Sequence, residues 1–163
     1  MKDILVVYYS RTGKTRLVAE QLARLLDADL EEIREEKGRS GVLGFLGAGR
    51  DAMRKAPARL VSEHTRGGRK AVVLGMPVWA WAPPPAARAY LAQCPPAEAK
   101  LCAFCTHGGG GGKRLFRALG ELVPGGVSLA FEWKNPRADD PELAAALKEW
   151  AQKVRDLAGR TAP

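Results

Sequence analysis

At 163 residues the chain is the size of one ordinary domain, which removes roughly 70% of its unfolded surface from water and needs neither disulfides nor metal to fold. Three cysteines, Cys94, Cys102 and Cys105, argue against a secreted disulfide framework and for a reducing, cytoplasmic setting, and the apolar run at 4–9 is too short to span a membrane and lacks a cleavage pattern. The formal charge of +8, from 26 Lys+Arg against 18 Asp+Glu, suits an anionic small molecule or an acidic partner; the basic residues are scattered and accompany no helix-turn-helix, zinc-finger or RNA-binding signature, which argues against nucleic acid.

Residues 4–9, Ile-Leu-Val-Val-Tyr-Tyr, form a continuous apolar run ended by a turn-rich segment, the pattern of a strand buried on both faces of a parallel sheet. After the loop Ser10-Arg11-Thr12-Gly13-Lys14-Thr15, Leu17, Val18, Gln21, Leu22 and Leu25 recur at near-helical spacing. Residues 28–34 are heavily charged and predict a half-exposed edge strand. Gly38, Gly41, Gly44, Gly47 and Gly49 weaken a helix in the next segment, while Val42, Leu43, Phe45 and Leu46 want burial; a loop followed by a short helix at 49–55 is expected.

Residues 71–76 and 101–105 repeat the buried-strand pattern, and Pro83-Pro84-Pro85 leads into a helix over 86–93. Val127, Leu129 and Phe131 alternate with smaller residues as a second edge strand would. The last helix, 141–157, lines up Leu143, Leu147, Trp150, Val154 and Leu157 on one stripe. Strands thus alternate with helices, without internal repeat or linker, and predict one doubly wound α/β domain over 1–163 with five parallel strands.

In such a sheet the ligand sits beyond the carboxyl ends of the strands, where strand order reverses. The loops that matter are 10–15, 76–82 and 106–112. The first places the hydroxyls of Ser10, Thr12 and Thr15 around Gly13 at a helix start, whose free N–H groups and dipole favour an anion. Gly13-Lys14-Thr15 also matches the end of a nucleotide-triphosphate loop, but that pattern's first glycine would fall on Tyr8, inside the strand. A plain helix cap by Ser10 or Thr12 accounts for one hydroxyl and not for all.

Ser10-x-Thr12-Gly13-x-Thr15 directly after a hydrophobic first strand resembles the phosphate loop of flavodoxins, whose members bind FMN. Gly75-Met-Pro-Val-Trp-Ala-Trp-Ala-Pro83 is similar to the second flavin loop of flavodoxin-like reductases, and by that resemblance Pro77, Val78, Trp79, Ala80 and Trp81 line the isoalloxazine. Thr106-His107-Gly108-Gly109-Gly110 resembles the third loop, and its His-Gly-Gly is similar to flavodoxin-like NAD(P)H:quinone oxidoreductases. The resemblance spans essentially the whole chain and implies the flavodoxin-like strand order 2-1-3-4-5 with helices on both faces.

Chemistry supports parts of this. An indole offers a flat face for a flavin ring, so Trp79 or Trp81 suits the second loop, although at i and i+2 the two also fit packing residues that share one face. Glycines 108–112 let the main chain approach a ligand with no Cβ in the way. His107 suits a hydrogen bond to flavin, a proton relay, or plain solvation. Cys102 and Cys105 form C-x-x-C, but residues three apart in a strand point to opposite faces, so they are expected to pack in the core and not to share a metal or disulfide.

Two functional classes follow from the resemblance: an electron carrier working with protein partners, or an NAD(P)H-dependent FMN oxidoreductase reducing quinones or other small acceptors. Carriers are usually acidic, so a chain at +8 implies a protein partner with an acidic surface. Carriers also favour one-electron work through a peptide flip that glycine makes inexpensive, and 77–83 holds no glycine. The third loop lacks a second aromatic, which leaves one flavin face open to a substrate. No acid, base, metal ligand set or G-x-G-x-x-G fingerprint is identifiable, so no catalytic residue and no metal is assigned. A third class is a binding module on the same fold that holds another phosphorylated ligand.

Overall fold

The computed structural model describes residues 1–35, 68–96 and 98–159; the helix expected at 49–55 lies outside them. In chain order the described elements are β1 (Ile4–Tyr8), α1 (Lys14–Leu26), β2 (Asp29–Glu32), β3 (Ala71–Pro77), α2 (Pro85–Gln93), β4 (Lys100–His107), α3 (Gly112–Gly120), β5 (Leu129–Lys134) and α4 (Pro141–Gly159). The strands form one sheet, all parallel, in the order β2-β1-β3-β4-β5. This is the expected doubly wound arrangement, and the chain's direction of winding reverses between β1 and β3.

The hydrophobic runs of β1, β3 and β4 become central strands because both faces are covered. On one face Leu5, Val7, Val72, Leu74, Met76, Leu101, Ala103 and Cys105 pack against Ala86, Ala87, Tyr90 and Leu91 of α2 and Leu115 and Leu119 of α3. On the other, Ile4, Val6, Val73, Cys102 and Phe104 pack against Val18 and Leu22 of α1 and the Leu143, Leu147, Trp150 and Val154 stripe of α4. Each of the larger aliphatic and Phe side chains among these contributes about 1.5 to 3 kcal/mol by leaving water. Cys102 and Cys105 lie on opposite faces, as strand geometry requires. Burial pushes both thiols up to about 12, so neither is a nucleophile at neutral pH.

The edge strands differ in kind. β2 is short and charged, and Asp29 accepts a hydrogen bond from the guanidinium of Arg69. β5 begins two residues later than the alternation predicts: Leu129, Phe131 and Trp133 face α4, whereas Val127 packs with the opposite cluster. Phe131 stacks on Trp133 at 5.9 Å, which extends the inward row past the predicted end. One glycine in the sheet is fixed by space: a Cβ on Gly75 would stand inside the ring of Phe104, its partner across the β3–β4 ladder.

Candidate functional site

The carboxyl ends of β1, β3 and β4 deliver three loops to the reversal point. Their main chains are tied together: the N–H of Tyr9 donates to Gly75 O at 2.9 Å, and that of Val78 to Thr106 O at 3.0 Å. Between them opens a cavity of about 430 Å³.

Gly13 turns the first loop into α1 with φ of 87°, and its own N–H donates to Ser10 Oγ at 3.2 Å. Ser10 therefore shapes the loop and does not cap the helix, and no side chain caps the N-terminus of α1. The contrast with α4 is instructive, because there Asp140 Oδ1 accepts from the N–H groups of Glu142 and Leu143 at 3.0 and 3.1 Å. At α3 the N-cap is Gly111, with φ of 101° and again no side-chain cap. The first turn of α1 therefore presents bare backbone donors next to the cavity.

Thr15 and Thr106 are both buried, and their hydroxyls share a hydrogen bond of 2.9 Å. In such a pair one hydroxyl gives its proton to the other, which keeps its own proton to donate elsewhere. Arg11, Thr12, Lys14 and Thr15 line the cavity from the first loop and α1, Pro77, Val78 and Trp79 from the second, and Thr106, His107 and Gly108 from the third. Ser10, Gly13, Ala80, Trp81, Gly109 and Gly110 build the same loops without lining it.

The two tryptophans part company. Trp79 is 9% exposed and meets the ring of Tyr9 edge to face at 5.4 Å and 85°, while Trp81 is 60% exposed. The alternative that both share one face by strand alternation is therefore corrected. Ala80 and Trp81 have φ of 47° and 59°, and the N–H of Ala82 donates to Trp79 O at 2.9 Å. That is a type I′ turn, which reverses the chain between the two indoles. Trp81 then lies against Gly111, with the Arg114 guanidinium 6.0 Å from its ring centre.

Sequence reasoning missed the fourth wall. Asn135, just past β5, lines the cavity, accepts from Lys14 Nζ at 3.0 Å and donates its own N–H to His107 O at 2.9 Å. Its φ of 46° is one asparagine tolerates better than most residues, and Asn135-Pro136 at the end of an alternating strand was the available signal. Glu132 was missed as well. His107 Nδ1 accepts the N–H of Gly110 at 2.8 Å, and His107 Nε2 faces Glu132 Oε2 at 3.6 Å.

No protein-family model and no curated protein matches the sequence. Solved structures do match its shape. A candidate flavoprotein from Bacteroides uniformis ATCC 8492 is 19% identical, with 92% of this chain and 97% of that one covered and a TM-score of 0.76. A flavoprotein from Lactobacillus acidophilus NCFM in complex with FMN is 21% identical, with 81% and 93% covered and a TM-score of 0.71. Oxidised flavodoxin 2 from Bacillus cereus is 15% identical, with 95% and 99% covered and a TM-score of 0.58. With its strand order and these likenesses, the chain has the flavodoxin-like fold.

Proposed function

We propose that the cavity binds FMN and that the protein transfers electrons through the bound flavin. The observation that carries this reading is the uncapped N-terminus of α1 opening, beside Thr12, Thr15, Arg11 and Lys14, onto a cavity that Pro77, Val78 and Trp79 of the second loop give an apolar, aromatic wall. A ligand with a phosphate at one end and a flat conjugated ring at the other matches that division. The volume of about 430 Å³ lies within the usual range for a small-ligand pocket.

In this reading the α1 backbone donors and the hydroxyls of Thr12 and Thr15 hold the phosphate, and Arg11 and Lys14 supply opposite charge. Pro77, Val78 and Trp79 form the apolar side for the ring, and Thr106 and Gly108 leave polar main chain near it. FMN supplies reversible redox chemistry that no side chain here offers. The protein's share is to hold the ring and shield it on one side.

Titration of the apo-protein with FMN, followed by quenching of flavin fluorescence, tests the proposal. One FMN per chain, with riboflavin bound more weakly for lack of the phosphate, is the expected result. No binding of FMN together with binding of another phosphorylated compound would transfer the site to the binding-module reading.

A second reading, an NAD(P)H-dependent FMN oxidoreductase acting on a small acceptor, is favoured by the +8 charge and by the absence of a second aromatic in the third loop. Anaerobic mixing of the FMN-loaded protein with NADPH or NADH separates the two. Prompt two-electron bleaching supports the oxidoreductase; a flavin unchanged until a reductase protein is added supports a carrier, whose partner would present an acidic surface.

A further inference from the structure

We propose that His107 and Glu132 are positioning residues that hold the third loop, 108–111, in its ligand-ready shape, and that protonation of His107 releases it. The consequence for affinity rests on the FMN reading; the consequence for the loop does not.

The tautomer follows from the hydrogen bonds. Nδ1 accepts the Gly110 N–H at 2.8 Å, so it carries no proton, and the neutral ring keeps its proton on Nε2, which faces Glu132 Oε2 at 3.6 Å. That bond spans a loop in which Gly110 and Gly111 have φ of 116° and 101°, a backbone shape that L side chains rarely adopt. The Glu132 carboxylate occupies the space where a Cβ on residue 112 would stand, beside the first turn of α3. Glycine at 112 admits the carboxylate, and the positive end of the helix dipole favours it there.

The charged groups around the ring are unequal. Glu132 of β5 favours a charged imidazole, whereas Lys134, the β5 register partner of His107, opposes it. Arg11 and Lys14 line the same cavity from the first loop and α1, and Lys113 sits in the first turn of α3; all three also oppose it. A proton added to Nδ1 would bring two N–H donors face to face at 2.8 Å, and the loop must move away. Loop order is therefore present where the His107 ring is neutral and is lost where it carries a second proton.

Amide NMR on the apo-protein tests this. The Gly110 amide should be protected from exchange at the alkaline end and lose protection, with a shift change, in step with the His107 ring signals as pH falls. In His107→Asn, Oδ1 stands in the place of Nδ1 and does not titrate, so Gly110 should stay protected throughout. Glu132→Gln removes the charge that stabilises the imidazolium and should move the step to lower pH.

For the FMN-loaded protein, the wild type should lose roughly two- to tenfold more affinity on acidification than His107→Asn, the value of one lost hydrogen bond. Comparing the two proteins cancels the titration of the phosphate itself. An acid step at Gly110 that persists in His107→Asn, a step unmoved in Glu132→Gln, or a Gly110 amide unprotected at neutral pH overturns the proposal. A step at Gly110 that behaves as expected in a protein that binds no FMN keeps the clasp and removes the cofactor reading.

Discussion

The loops after β1 and β3 face each other across one cavity and are built on opposite terms. The first turns at Gly13, where φ is 87° and nothing stands within 4 Å of the missing Cβ, so the glycine is there for conformation and not for space. The second turns at Ala80 and Trp81, which take the same left-handed conformation without glycine. An L residue in that region gives up on the order of 1 to 2 kcal/mol. The first loop is thus relaxed and offers backbone donors, which suits an anion. The second is strained and aims one indole inward and one outward, which suits a ring.

The largest effect that would break this division is at Trp79. Its side chain is buried against Tyr9, so Trp79→Ala should lose about 3 kcal/mol or more in urea unfolding and perturb the spectrum of bound flavin. Trp81→Ala, at an exposed site, should stay within about 0.5 kcal/mol of the wild type. Equal losses at the two positions would mean that the turn does not separate them. Next in size is the first loop: Thr12→Ala with Thr15→Ala should weaken FMN binding by about 1 to 3 kcal/mol per lost bond in a calorimetric titration. An affinity that stays put removes the anion assignment from the relaxed loop.

Much of this contrast was open to sequence reasoning, and its limits are physical. Continuous apolar runs at 4–9, 71–76 and 101–105 announce central strands because both faces of a parallel sheet must be covered, and those runs bring their loops to one end of the sheet. Three hydroxyls around Gly13 could be read locally, since a helix start is a local event. The reversal at Ala80-Trp81 could not, because a type I′ turn is usually marked by Asn-Gly or Gly and here carries neither. Asn135-Pro136 marks a turn locally, but that Asn135 and Glu132 reach the site was hidden, because the pairing of β5 with β4 that brings them there is a contact no local pattern encodes.

The two turns also permit a reciprocal exchange, with smaller effects. Gly13→Ala should destabilise by about 0.5 to 1 kcal/mol, all of it conformational: left-handed strain of about 1 to 2 kcal/mol is partly offset by the lesser freedom of alanine in the unfolded chain, and the new methyl meets nothing. If thermal and urea unfolding show no loss, φ at 13 is not left-handed and the free N–H groups of α1 point elsewhere. Ala80→Gly is the mirror test. It relieves about 1 to 2 kcal/mol of left-handed strain and returns about 0.5 to 1 kcal/mol through the greater freedom of glycine in the unfolded chain. The net is a gain of about 0.5 kcal/mol, read as a small rise in the urea midpoint at unchanged slope. The sign carries the information: a gain means the fold holds Ala80 against its preference to place Trp79 and Trp81 on opposite sides. A loss would mean that residue 80 is at ease, and that the two loops do not differ in strain.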